Sequence, residues 1–230
     1  MLHAITRRSV LFGLAALAAF GVNAAEPVAG TDYQVLKTPQ PIATPGKGEV
    51  IEFFWYGCPH CFHYEPFVEA WAKTLPKDVV FRREHALFAG RSDMEGHGRL
   101  FVALKSLGKV EALTPKVFDA IHKDKIELRD QDKLFDWISK QGVDRKQFEG
   151  AYGAFSMQAE LKRQEQNVAT YQLTGVPAFV VNGKYVVSAK GGDENGQQLF
   201  ATINALLTKD KPAGKDAKPA SKDAKAAAKK

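Results

Sequence analysis

The chain has 230 residues, 45% of them hydrophobic, with a formal net charge of +6 and a sequence pI near 9.2. The positive excess sits at the ends: Arg7 and Arg8 supply two charges, and eight Lys against three Asp from Lys209 to Lys230 supply five, leaving residues 25–208 at −1. A near-neutral body, with no aromatic residue in the basic run, argues against a nucleic-acid-binding protein.

Arg7 and Arg8 precede an apolar stretch from Val10 to Phe20, and Val22-Asn23-Ala24 offers small or neutral side chains for cleavage after Ala24. This is the pattern of a secretory signal peptide over residues 1–24, too short to span a bilayer stably. The paired arginines also suit a twin-arginine signal. The mature chain is therefore expected in a bacterial periplasm, where disulfides persist.

Glu49 to Trp55 is a nearly continuous apolar run, as in a strand buried on both faces. Gly57 ends it, and Pro59 suits the first position of a helix because it has no N–H to lose there. That helix is predicted to run to about Thr74, with Phe67, Val68, Trp71 and Leu75 on its apolar side and a kink at Pro66. Val79 to Arg83 is a second strand. From Leu87 to Tyr152 the pattern turns helical, with Thr114-Pro115 and Asp130 read as caps, Gly142 as a helix stop, and Asp144 with Gln147 as a capping box. Ser156 is predicted to cap a helix to about Tyr171. Ala178 to Val181 and Lys184 to Val187 flank Asn182-Gly183, the strongest short hairpin signal. A last helix is predicted over 194–207. Residues 209–230, with nothing apolar larger than Ala, read as a disordered tail, solvated or in contact with an anionic membrane surface.

The only two cysteines, Cys58 and Cys61, fall in Trp55-Tyr56-Gly57-Cys58-Pro59-His60-Cys61-Phe62, where the first strand meets the first helix. They either pair with each other, bind something together, or stay free. A C-x-x-C at such a junction is a redox signature. Only a thiolate attacks a disulfide, and unpaired N–H groups at a helix N-terminus favour negative charge. Cys58 is therefore expected to be the nucleophile, aided by a positive charge or a hydrogen bond from His60, with Cys61 the more buried resolving thiol. Glu52 lies in an apolar strand, where a carboxylate is costly unless paired or protonated. It is read either as an acid that exchanges protons with Cys61 or as one that reaches solvent or a lysine. Glu65, one turn beyond Cys61, is expected to tune the same cluster. The aromatic run Phe53-Phe54-Trp55-Tyr56 is read as mostly core, with Trp55 or Tyr56 near the site as alternative flanks of a substrate groove, and Phe62 and His63 are expected to line that groove. Cys58, Cys61, His60 and His63 have zinc-type donors. Yet His60 sits between the cysteines and no distant second pair follows, so no metal is expected.

The order of elements, Cys58-Pro59-His60-Cys61 and Gly175-Val176-Pro177 before the third strand together resemble the DsbA family of thiol:disulfide interchange proteins, over essentially all of residues 26–207. The resemblance implies an α/β chain: a thioredoxin fold with an inserted all-helical domain. The thioredoxin-like parts would be residues 25–86 and 156–208 and the insert 87–155. It implies a cis bond at Val176-Pro177 packed against the cysteines, with the Val176 backbone free to pair with an extended substrate and Pro177 keeping metal away. It also implies a dithiol oxidase acting on unfolded or folding exported proteins through a mixed disulfide. Reoxidation would fall to a DsbB-like membrane partner linked to quinone. No bound cofactor is expected, and the protein is expected to be a monomer. The alternatives are a disulfide isomerase or specialised reductant on the same fold, or a binding protein with a structural staple. The staple is disfavoured because so short a loop removes little unfolded-state entropy. The basic tail is a departure from the family with no role assigned.

Overall fold

A computed structural model describes residues 26–210. The expected signal peptide over residues 1–24 and the tail beyond Asp210 lie outside the described residues. Five strands form one sheet in the order β1-β5-β4-β2-β3. The interior strand β2 (Gly48–Phe54) is buried along its whole length, as its apolar run requires. It pairs in parallel with β3 (Val79–His85) and antiparallel with β4 (Ala178–Val181). Between β2 and β3 runs α1 (Pro59–Ala72), which continues through Pro66.

β4 turns into β5 (Tyr185–Ser188) through Asn182 and Gly183, both at positive φ (50° and 63°), as an Asn-Gly hairpin demands. A Cβ on Gly183 would stand 2.1 Å from the Gln40 carbonyl oxygen, so space as well as backbone angle requires glycine there. The edge strand β1 (Gln34–Val35) pairs antiparallel with β5; two residues, one of them polar, carry no strand pattern.

One sheet face, with Val50, Phe179, Val181 and Val187, is covered by α1 and by α7 (Gln197–Lys209). Trp71 of α1 stacks on Phe200 of α7 at 4.9 Å and 12°. The other face, with Ile51, Phe53 and Val180, packs on Val168 of α6 (Met157–Thr170) and on Tyr171. Between β3 and α6 lies the helical block: α2 (Glu95–Ser106), α3 (Val110–His122), α4 (Gln131–Lys140) and α5 (Arg145–Tyr152). Its core is continuous with Phe54 and Tyr56 at and just past the end of β2 and with Cys58 and Cys61 at the start of α1, so the block sits over the cysteines.

Several local expectations hold. Asp130 and Asp144 cap α4 and α5 through the N–H groups of Lys133 and Gln147, and Gly142 follows α4 at φ 76°. Others are corrected. Thr114-Pro115 is no cap but lies inside α3, where Leu113 and Thr114 are buried and Pro115, near the helix start, removes only one backbone bond. Ser156 precedes α6 in a helical conformation and its side chain caps nothing. The last helix begins at Gln197 because the Asp193 carboxylate accepts from Gln198 N and Leu199 N, leaving Glu194 in the loop. It also outlasts the expected boundary: Lys209 is helical, and Asp210 pairs with Lys184 at 2.8 Å.

Candidate active site

β2 delivers the chain to Trp55-Tyr56-Gly57, and Cys58 takes the N-cap of α1 with an extended backbone (φ −84°, ψ 117°). Its N–H donates to Trp55 O at 2.9 Å, and its carbonyl accepts from Phe62 N at 3.1 Å. The Cys58 sulfur accepts from Cys61 N at 3.3 Å, so the free amides of the helix start converge on it. Both cysteines are thiols here, 7% and 1% exposed. The Cys61 thiol, donating to the Cys58 sulfur, pulls Cys58 down to about 6. The backbone N–H groups of Cys61 and His60 and the His60 charge help, against partial burial. Cys61 goes the other way: burial, then the proton it lends to Cys58, hold it well above the ordinary thiol value. At neutral pH the pair is one thiolate, on Cys58, and one thiol.

Val176-Pro177 is cis, and Cys58 Sγ lies 3.6 Å from Val176 O across the site. His60, His63, Tyr64, Val176 and Pro177 line a groove of about 640 Å³ closed on its far side by residues 188–194. His63 bonds Glu194 O at 2.9 Å through Nε2, and Tyr64 donates its hydroxyl to Asp193 O, which ties that loop to α1. Pro59 occupies the first helical position, exposed beside His60.

Phe62 does not line that groove, and neither Trp55 nor Tyr56 flanks it. Phe62 turns toward α3, stacked on His122 at 4.7 Å and 7°, because residues 62 and 63 point about 100° apart on a helix. Phe62 instead borders a second crevice of about 300 Å³ between α1 and α3, which His63 also reaches. Tyr56 is fully buried, its hydroxyl 3.1 Å from Thr114 Oγ1. Trp55 folds its indole over Gly57, where any Cβ would lie within 2.4 Å of the ring.

Beneath Cys61, Glu52 meets neither solvent nor lysine. Arg83 stands directly opposite it in the parallel register and donates Nε to it at 2.9 Å. The same guanidinium, 1% exposed, donates to Glu65 at 3.0 Å and to Glu111 at 2.6 Å. Burial raises Glu52 despite Arg83, and raises Glu65 to about 8 with help from the negative charge of Glu52. Negative charge on Glu52 in turn helps hold Cys61 protonated. Sequence reasoning missed Arg83; the signal available was that parallel pairing of the first two strands puts Arg83 level with Glu52.

Residues 49–199 match the family model of the DSBA-like thioredoxin domain. The chain belongs to this family. It is 40% identical over 201 residues to the thiol:disulfide interchange protein DsbA of Azotobacter vinelandii, covering 86% of this chain and 92% of that one. It is 46% identical over 162 residues to the DsbA of Burkholderia cepacia, covering 70% and 76%. The crystal structure of Pseudomonas aeruginosa DsbA superposes with a TM-score of 0.71 at 38% identity, over 80% of this chain and 95% of that chain. The fold is thus a DsbA-like thioredoxin fold with a helical insertion, and the protein is a thiol:disulfide oxidoreductase that oxidises dithiols in protein substrates. Among the described residues no helix is long and apolar enough to cross a membrane.

Proposed function

We propose that the protein works in the periplasm and passes a Cys58–Cys61 disulfide to newly exported chains. The observation that carries this reading is the split between the two sulfurs: Cys58 stabilised as thiolate at the start of α1, Cys61 buried and held as thiol. A substrate thiolate attacks the Cys58 sulfur, the S–S bond breaks, and Cys61 leaves and takes up a proton. A second substrate thiolate then attacks the substrate sulfur of the mixed disulfide and expels Cys58 as thiolate. The substrate loses two electrons to form its disulfide, and the enzyme retains them as its dithiol. Cys58 is a good leaving group for the reason it is a stable thiolate.

Glu52, charged only at a cost, exchanges the Cys61 proton, with Glu65 and Arg83 setting its affinity. His60 adds positive charge beside Cys58, and Pro59 starts the helix that presents the amides. The backbone of Val176 pairs with an extended substrate segment lying in the groove walled by Pro177 and His63. Phe62 braces the helical insertion against α1. The insertion spans residues 87–155 between thioredoxin-like parts at 25–86 and 156–208. Reoxidation falls to a DsbB-like, quinone-linked membrane protein, and the enzyme acts as a monomer with no bound cofactor.

Two assays on one preparation separate this from the reductant reading. The disulfide form is expected to oxidise a reduced two-cysteine peptide rapidly, and the dithiol form to reduce insulin slowly. Fast insulin reduction with slow peptide oxidation would reverse the assignment.

A further inference from the structure

His122, the last residue of α3, touches both shoulders of the redox motif. Its Nε2 donates to the Tyr56 carbonyl at 2.8 Å, two residues before Cys58. Its ring lies flat on Phe62, the residue after Cys61, at 4.7 Å and 7°. The five residues from Gly57 to Cys61 are thus spanned by one side chain from the helical insertion. Lys123 presses on Phe62 from 5.7 Å, and the His122 carbonyl accepts from Lys125 Nζ at 2.6 Å, so the end of α3 is itself anchored. The same helix holds Tyr56 by its other end, through Thr114.

We propose that His122 is a positioning residue for the Cys58–Cys61 pair, fixing the angle between the end of β2 and the start of α1 from outside the thioredoxin-like part. The N–H groups that face the Cys58 sulfur belong to the first turn of α1. Their aim depends on where that turn sits relative to Tyr56 and Gly57. A carbonyl can only accept, so the bond needs a proton on Nε2. The flat stack needs a planar ring, and histidine supplies both. Without His122, Tyr56 O loses its side-chain donor, Phe62 loses its stacked ring, and the turn can relax away from the geometry that favours a charged sulfur.

This inference rests on Cys58 being the reactive thiolate. The test is a pH titration of thiolate absorbance in the full chain, reduced, with His122→Ala, His122→Phe and His122→Gln beside the unchanged protein. His122→Ala and His122→Phe are expected to raise the Cys58 midpoint by about one unit, a tenfold shift toward thiol. The second keeps the ring and so guards against a folding defect in the first. His122→Gln, whose amide can still donate to Tyr56 O, is expected to recover most of that shift. Midpoints within about 0.2 unit of the unchanged protein in all three, whatever their thermal stability, would overturn the proposal. A free-cysteine midpoint in the unchanged protein would instead overturn the functional reading beneath it.

Discussion

Cys58→Ser is expected to abolish dithiol oxidation, a loss of at least about a thousandfold, because it removes the attacked sulfur and the only thiolate the site stabilises. Cys61→Ser is expected to abolish turnover as well but to leave a different trace. Its Cys58 can still attack a disulfide-bonded substrate, and no neighbouring thiol remains to release the mixed disulfide. That adduct should accumulate and survive non-reducing electrophoresis, whereas Cys58→Ser should give none. Burial gives the reason: the Cys61 sulfur, 1% exposed, cannot meet an incoming chain without the helix start opening. Adducts on Cys58→Ser and none on Cys61→Ser would reverse the two roles.

The second large effect belongs to Arg83. It lies between three carboxylates, two of them buried with it. Arg83→Met is expected to cost about 3–5 kcal/mol, since it leaves Glu52 and Glu65 without the charge that offsets their burial. The loss should depend on pH in a definite direction. Burial raises both carboxyls in the folded protein, Glu65 to about 8, against an ordinary value of 4.5. Between those values the folded state holds protons that the unfolded chain has released, so stability falls as pH rises. Without Arg83 the folded carboxyls hold protons still more tightly, and the fall steepens. Denaturant unfolding should therefore show a larger deficit at pH 8 than near pH 4.5, and adding Glu52→Gln should recover part of it. A deficit under about 1 kcal/mol at both pH values would mean that the cluster is not energetically coupled.

What the sequence disclosed and what it hid follow from the range of the interactions involved. The run to Phe54, the Asn182-Gly183 turn, Pro59 at the start of α1 and the caps Asp130 and Asp144 obey backbone rules spanning a few residues. They were legible for that reason, and the position of Cys58 at the helix N-cap came with them. Thr114-Pro115 misled because a local rule met a stronger distant demand: Thr114 is needed inside, on the Tyr56 hydroxyl. Asp193 caps α7 across a gap of five residues that no short pattern describes. Arg83 and His122 act on the motif from another strand and from the insertion, and their side chains carry no mark of their destination. The core reading of Phe53, Phe54 and Tyr56 holds because Thr114 draws the Tyr56 phenol inward, while Trp55 folds back over the space that Gly57 leaves rather than flanking the groove.

The central claim is that stabilised charge on Cys58 makes the disulfide readily given away. Unfolding the reduced and oxidised forms side by side tests it most directly. A thiol lowered from 9 to about 6 favours the folded dithiol form above its unfolded value, and that advantage is lost as pH falls toward 6. After discounting for solvent screening it is worth about 1 kcal/mol at pH 7. The reduced protein is therefore predicted to unfold at higher denaturant than the oxidised protein at pH 7, with the gap closing as the pH is taken down to about 5. An oxidised form that is the more stable of the two at pH 7 and above would contradict the account.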